Sequence, residues 1–142
     1  MLERAGDHAF PYNLHDGSPL RMQWHFYGQS ELPVAVQTWE LPPGGFEGMH
    51  AHGEPDTPLE EIYVFVEGTG HMSVDGEEYP VKAGDAVLAK VGTRHDLRNT
   101  GDGPLRLLVV WGQPQPSDYS DFGSATRARL AREGPSSAGS AR

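Results

Sequence analysis

Short apolar segments, separated by clusters of turn-forming residues, run through the middle of the chain. Aromatic and β-branched residues are concentrated at 20–28 (LRMQWHFYG) and 34–41 (VAVQTWEL), which is typical of β-strands. The continuously apolar run at 62–66 (IYVFV) predicts a strand buried on both faces. Shorter segments of the same kind predict five further strands, at 72–74, 77–81, 86–90, 96–99 and 105–111.

Glycine, proline, asparagine and aspartate occupy the breaks between these segments. A Pro-Pro-Gly-Gly sequence follows the second strand, and Asp75-Gly76 is a two-residue hairpin signal because both turn positions favour positive φ. The 18 glycines and 12 prolines among 142 residues argue against a helical bundle. Strands at intervals of roughly 8–12 residues, with turn residues between them, predict an all-β sandwich or small barrel built as a single domain.

Both ends of the chain lack this pattern. We expect residues 1–30 to form an N-terminal arm and the first strand, 31–112 the barrel core, and 113–142 a largely disordered C-terminal extension. Within the extension, 125–133 (ATRARLARE) predicts a short helix capped by Ser124. Leu130 is its only large apolar side chain, so we expect the helix to fray and 135–142 to be disordered.

Charge and composition exclude several classes of function. Eleven Lys and Arg against 20 Asp and Glu give a net charge of −9, whereas binding to a nucleic-acid backbone needs clustered positive charge. No apolar run approaches the ~20 residues of a membrane helix and the first residues do not form a signal peptide, so we expect a cytoplasmic protein. Because the chain has no cysteine, any bound metal must be held by His, Asp or Glu.

Histidines at three positions are candidate metal ligands. His50 and His52 are separated by one residue, and on a strand such a pair projects from one face. His95 follows the turn at Gly92 and opens the next predicted strand. Taken singly, the pair favours surface residues of a loop, and His95 favours an ordinary packed histidine.

One carboxylate is predicted to point inward beside them. Alternation along the strand places Glu61 on the same face as Tyr63 and Phe65, and turns Glu60 to the other face. A carboxylate among apolar side chains needs a partner, and a divalent cation is one such partner. Read alone, both acids are also consistent with solvated residues at the entrance of a strand.

Together these residues resemble the two sequence motifs of the cupin superfamily. The first motif, G-x5-H-x-H-x3–4-E-x6-G, is matched by Gly44, His50, His52, Glu61 and Gly68. The second motif, G-x5-P-x-G-x2-H-x3-N, is matched by Gly84, Gly92, His95 and Asn99. Two features depart from the family pattern: Lys90 replaces the usual proline, and eight residues separate His52 from Glu61 where three or four are usual.

The resemblance implies a cupin-type antiparallel β-barrel, a double-sheet jelly roll, with a metal ion inside. It implies that one divalent ion (Zn, Fe, Mn or Ni) is coordinated by His50, His52, Glu61 and His95, with Glu61 and His95 also counted as catalytic residues. Four protein ligands leave a coordination position open, as catalytic metals require. Cupins commonly pair, so we expect a homodimer in which the segment 10–24 adds a strand to the partner's sheet.

Alternation along the strands also predicts the cavity walls. Tyr63 and Phe65 follow Glu61, and Leu97 and Asn99 follow His95, so these four residues are predicted to bind the substrate. Further candidates, whose face the sequence does not fix, are Trp24, Phe26, Trp39, Met49 and Trp111. No role is assigned to His8 or His15. An apolar, aromatic lining suits a hydrophobic substrate that coordinates metal through its oxygens.

These features favour metal-dependent conversion of an aromatic or polyketide-like small molecule. Similar cupins are dioxygenases with a redox-active metal, or polyketide cyclases in which a Lewis-acid metal stabilises an enolate. A sugar-phosphate isomerase is less favoured, because the segment that carries the first three ligands has no Lys or Arg for phosphate. The alternative from another class is a non-catalytic metal- or ligand-binding cupin module.

Overall fold

The structure, a computed structural model, describes residues 1–52 and 57–134. The secondary structure of these residues is almost entirely β, with a single helix close to the C-terminal end. In chain order the elements are β1 (Phe10–Asn13), β2 (Pro19–Trp24), β3 (Ala35–Leu41), β4 (Glu60–Glu67), β5 (Thr69–Val74), β6 (Glu77–Lys82), β7 (Ala86–Ala89), β8 (His95–Asn99), β9 (Leu105–Gly112) and α1 (Gly123–Glu133).

The strands form two antiparallel sheets. The larger has the order β1-β2-β3-β9-β4-β7 and the smaller the order β6-β5-β8. The segment before His52 extends the smaller sheet, because its backbone pairs with β8 from Gly44 to His50. Two backbone hydrogen bonds of 3.0 and 2.8 Å join His50 to His95 in this pairing. The predicted all-β, two-sheet architecture in one domain is confirmed.

The hydrophobic core lies between the two sheets. Residues of β3 and β9 alternate between buried and partly exposed positions, as expected for strands with one face against a core. The largest side chains that are completely enclosed include Trp39, Tyr63, Phe65, Met72, Leu97 and Leu107. This core fixes the inner ends of β4 and β8, from which two of the candidate ligands project.

The prediction that 62–66 is buried on both faces is wrong. Tyr63 and Phe65 are buried, but Ile62 and Val66 are 43% and 56% exposed. The reason is the strand alternation itself, which turns every second residue of β4 to the outer surface of the larger sheet.

The N-terminal region differs from the expectation in two ways. The predicted strand at 20–28 ends at Trp24, because Phe26 adopts φ +52° and the chain turns there. Residues Phe10–Asn13, ahead of β2, form β1, which the sequence pattern did not predict. β1 pairs with β2 of the same chain and lies at the edge of the larger sheet.

The predicted C-terminal helix is present as α1, although its cap is not the predicted one. The helix begins at Gly123, so Ser124 lies within the first turn, and Phe122 occupies the cap position without a side-chain hydrogen bond. None of the residues of α1 is buried. In the part of the chain that is described, no helix is both long and apolar enough to cross a membrane. The predicted disorder of 135–142 lies outside the described residues.

Candidate metal centre

The four predicted ligands converge between the two sheets. His50 and His52 come from the segment paired with β8, His95 is the first residue of β8, and Glu61 is the second residue of β4. One ligand atom from each residue lies within 4.8 Å of the corresponding atom of every other. The longer chain between His52 and Glu61 therefore does not prevent the carboxylate from reaching the histidines.

Glu61 Oε1 lies at the centre of this cluster. Its distances to the Nε2 atoms are 2.8 Å for His52, 3.4 Å for His95 and 3.7 Å for His50. Glu61, His50 and His95 are all buried, whereas His52 is partly exposed. The group is therefore enclosed on one side and accessible on the other.

Backbone contacts fix which ring nitrogen faces the cluster. His50 Nδ1 lies 2.7 Å from the carbonyl of Gly48, and His95 Nδ1 lies 3.0 Å from the carbonyl of Thr93. Because a carbonyl only accepts hydrogen bonds, each Nδ1 carries the proton and the neutral ring presents a bare Nε2 lone pair. Metal-binding histidines are commonly held in this way.

The atoms that face one another lack hydrogen-bond partners. His50 Nε2, His95 Nε2 and Glu61 Oε1 are buried, and none makes a hydrogen bond of acceptable geometry. Unshared electron pairs directed at a common point are costly to bury, and a cation between them would be stabilising. The donor set therefore fits a divalent metal ion held by three imidazoles and one carboxylate.

The carboxyl of Glu61 is held in its ionised form. Burial alone would raise its pKa, but its close contacts with the imidazoles of His50, His52 and His95, when those rings are protonated and no cation is bound, outweigh burial and hold the pKa well below its usual range. An ionised carboxylate is the form in which a glutamate binds metal.

A second buried carboxyl, which the sequence motifs do not indicate, lies beside the cluster. Glu47 is 1% exposed, and one of its oxygens lies 3.5 Å from His50 Nε2. Burial, together with the nearby charge of Glu61, raises its pKa well above the usual value. In the sequence Glu47 stands at a variable position of the first motif, where an acid normally indicates a solvated loop.

Tyr63 lies between the two carboxyl groups. Its hydroxyl oxygen is 3.1 Å from both oxygens of Glu47 and 3.1 Å from Glu61 Oε2. Burial, followed by the charges of Glu47 and Glu61, raises its pKa well above the usual value, so it stays a neutral phenol. The hydroxyl therefore keeps its one proton, which it can donate to a carboxyl oxygen such as Glu61 Oε2.

A fourth histidine, His15, contacts the cluster from the N-terminal region. Its ring stacks on the ring of His50 with centroids 3.5 Å apart and planes 12° apart. Its backbone adopts φ +42°, a left-handed conformation uncommon outside glycine. Partial desolvation, followed by the charge that His50 carries when it is protonated, lowers its pKa to about 4. Nothing in the spacing of the motifs indicates this residue.

An apolar cavity of about 360 Å³ opens beside the cluster. The described residues that line it include no Lys or Arg, and most are aromatic or aliphatic. They are Phe10, Tyr12, Leu14, His15, Met22, Trp24, Gln37, Trp39, Glu47, His52, Leu59, Glu61 and Trp111. All three tryptophans, whose orientation the sequence did not fix, therefore form its walls, whereas Phe26 and Met49 do not.

The four residues predicted to bind substrate do not line this cavity. Phe65 and Leu97 are enclosed in the core, and Tyr63 is fully buried behind the carboxyl groups. The Asn99 side chain donates hydrogen bonds to the carbonyls of Leu41 and Gly103, a structural role in a turn. Alternation placed all four on the inner face correctly, but most of that face is filled by packing.

The family model for the Cupin domain matches residues 37–111, which is more than half of the chain and includes all four candidate ligands. The chain belongs to the cupin family. This cupin is 32% identical over 122 residues to uncharacterized protein MJ1618 of Methanocaldococcus jannaschii, a match that covers 86% of this chain and 94% of that protein. It is 33% identical over 63 residues to polyketide synthase CurC of Streptomyces cyaneus, covering 42% of this chain and 41% of that protein.

Among solved structures, this cupin is similar to a predicted oxalate decarboxylase from Thermotoga maritima. The TM-score is 0.67 at 26% sequence identity, and the match covers 80% of this chain and 100% of the other. The comparison supports the cupin fold described above. Residues 10–15, which supply one wall of the cavity, lie outside the region that the family model matches.

Proposed function

We propose that this cupin is a metal-dependent enzyme that cyclises or isomerises an apolar, oxygen-bearing small molecule of aromatic or polyketide-like character. The observation that carries the proposal is a largely aromatic cavity whose lining includes His52 and Glu61 of the ligand cluster. A substrate in that cavity would have its polar end at the metal and its apolar part against the walls.

His50, His52, Glu61 and His95 would hold the ion. A divalent ion there would act as a Lewis acid toward an enolate or phenolate oxygen and stabilise the charge that develops on it. With four protein ligands, the coordination sphere keeps room for a substrate oxygen. The apolar walls would lower the local dielectric and strengthen that interaction.

The cavity wall favours an aromatic substrate over a small dianion such as oxalate. Trp24, Trp39 and Trp111 offer flat apolar surfaces to a ring system. No Lys or Arg is present among the described lining residues to balance a second carboxylate or a phosphate. The partial similarity to polyketide synthase CurC also supports a polyketide-like substrate.

Two further polar side chains in the cavity favour an enzyme that transfers protons over a protein that only binds a ligand. Glu47 and His15 line the same cavity within reach of the ligand cluster. Carboxyl and imidazole groups are the usual general acids and bases of enzymes, and cyclisation or isomerisation requires a proton to move. A binding module, the alternative function, has no use for an open metal position.

Turnover assays test this proposal. Metal-loaded and chelator-treated protein would be compared on a β-diketone attached to an aromatic ring and on a catechol, each with and without O₂, and on oxalate. We expect metal-dependent turnover of the diketone that does not require O₂. Equal rates for loaded and chelated protein would exclude a metal-dependent enzyme, and metal-dependent turnover only with O₂ would favour the dioxygenase.

We further propose that the protein is a homodimer. β1 forms an edge of the larger sheet, and its Phe10 and Tyr12 side chains are 37% and 49% exposed. An open edge strand can pair with the same edge of a second copy, which would cover these rings. Light scattering at micromolar concentration is expected to give twice the chain mass, and the mass of a single chain would contradict the proposal.

A further inference from the structure

The two oxygens of Glu61 have different surroundings. Oε1 faces the three imidazoles of the ligand cluster. Oε2 points the other way and accepts a hydrogen bond from the hydroxyl of Tyr63 at 3.1 Å. One oxygen of the carboxylate therefore faces the candidate metal position, and the other faces the protein interior.

We propose that Tyr63 is a positioning residue that keeps Glu61 a monodentate ligand, with Glu47 holding the phenol from the opposite side. If Glu61 turned to present both oxygens to an ion, Oε2 would have to give up the hydrogen bond that it accepts from the fully buried hydroxyl of Tyr63. The carboxylate thus contributes one oxygen, and a coordination position stays free for substrate.

The packing around Tyr63 holds its ring in one position. Its ring is fully buried and lies edge-on to Trp39, with centroids 5.8 Å apart, and to His95, with centroids 5.9 Å apart. It stands two residues after Glu61 on β4, so both side chains project from the same face of one rigid strand. A tyrosine buried only for packing needs one hydrogen-bond acceptor, whereas this hydroxyl lies between two carboxyl groups.

Glu47 completes the arrangement. Both of its oxygens lie 3.1 Å from the Tyr63 hydroxyl, and its backbone N–H donates to the carbonyl of Leu97 at 2.8 Å. The segment that carries His50 is thus joined to β4 through Glu47, Tyr63 and Glu61. Outer partners of this kind orient metal ligands, and their loss typically lowers metal affinity by roughly 10–100-fold.

This inference rests on the metal site of the proposed function, and it is independent of the reaction catalysed there. The probe is Co²⁺, whose visible absorption depends on the number and geometry of its ligands. The affinity of the wild-type protein and of Tyr63→Phe for Co²⁺ would be measured by competition with a coloured chelator, and the absorption spectra of both loaded proteins recorded.

Tyr63→Phe removes only the hydroxyl. We expect a 10–100-fold weaker affinity for Co²⁺ and an altered absorption spectrum, because Glu61 is free to change its binding mode. Tyr79→Phe is the matched control, since the Tyr79 hydroxyl donates to Glu77 at 2.7 Å on the surface. That variant is expected to keep both the affinity and the spectrum of the wild type.

A second pair of variants tests the same inference if Tyr63→Phe fails to fold. Glu47→Leu removes the outer partner of Tyr63, and Glu47→Gln keeps polar atoms in its place. We expect Glu47→Leu to weaken Co²⁺ binding and shift the spectrum, and Glu47→Gln to restore both toward the wild type.

The outcomes separate this inference from the proposed function. If the wild type binds no divalent metal, the proposed metal-dependent function fails as well. If the wild type binds Co²⁺ and Tyr63→Phe binds it with the same affinity and spectrum, the positioning role is overturned while the proposed function stands. Identical binding by Glu47→Leu, Glu47→Gln and the wild type would overturn the role assigned to Glu47.

Discussion

At the scale of single residues, backbone carbonyl groups orient the rings of the two buried histidines of the cluster. The carbonyls of Gly48 and Thr93 fix the rings of His50 and His95 with Nε2 toward Glu61. Both rings are buried, so the atoms packed around each ring hold it in this orientation.

We therefore predict that His50→Ala or His95→Ala reduces metal occupancy sharply. Each substitution removes a direct ligand, so the loss of affinity should exceed the roughly 10–100-fold typical of an outer partner. Elemental analysis of protein dialysed against a fixed Zn²⁺ concentration measures the effect. His71→Ala is the control, because His71 is only partly buried and lies beside Glu78, away from the cluster. Equal losses in all three variants would contradict the assignment.

Two adjacent glutamates provide a second test. Glu61 is buried at the cluster, whereas Glu60 lies on the outer face of β4 and is only partly buried. Glu61→Gln should weaken metal binding less than loss of a histidine, because it keeps an oxygen donor and loses the charge. Glu60→Gln should change little. Metal loss in Glu60→Gln alone, measured by the same dialysis, would show that the register of β4 is wrong by one residue.

At the scale of elements, the position of the N-terminal segment determines the shape of the cavity. One wall of the cavity is formed by Phe10, Tyr12, Leu14 and His15. The residues that follow, Gly17 and Ser18, lie against the segment that leads to His50. Ser18 exchanges hydrogen bonds with Phe46 at this contact. The wall therefore depends on close backbone packing between two segments that are distant in sequence.

Gly17 is the residue at which this packing can be tested. A Cβ added there would overlap the backbone carbonyl of Glu47, which cannot move without disturbing the segment that leads to His50. We predict that Gly17→Ala destabilises the protein by about 1–3 kcal/mol, as is usual for overpacking. Urea denaturation measures the change. Gly103→Ala should have almost no effect, because a Cβ at Gly103 meets no atom within 4 Å.

At the scale of the whole molecule, the ligand cluster joins the two sheets. Glu61 belongs to the larger sheet, and His95 and the paired His50 segment belong to the smaller one. An ion that binds all of them binds the folded state only, and such binding stabilises the fold by about 2.7 kcal/mol at 100 times Kd.

We predict that Zn²⁺ raises the melting temperature and that a chelator reverses the increase. The increase should shrink as pH falls from 8 to 5, because protons compete with the metal for the imidazole ligands. Thermal unfolding followed by circular dichroism at both pH values measures this. His95→Ala should lose most of the increase; an undiminished increase in that variant would mean that Zn²⁺ binds elsewhere.

The sequence by itself determined most of the strand pattern, although not β1, and the four residues of the cluster. Turn residues and period-two alternation are local properties, so they locate strands such as β3 and β9 and turn Glu61 rather than Glu60 inward. The two motifs identify His50, His52 and His95 because the spacing of ligands along the chain is itself part of the pattern.

Only the tertiary structure decided what surrounds those ligands. His15 stacks on His50 from a distant segment, and Glu47 is buried because its segment pairs with β8, so no local pattern distinguishes either from a solvated residue. The same limit applies to Tyr63, which faces inward as predicted but contacts two carboxyl groups rather than the cavity. Alternation determines which face a side chain occupies, whereas the atoms it meets there depend on packing between segments far apart in the chain.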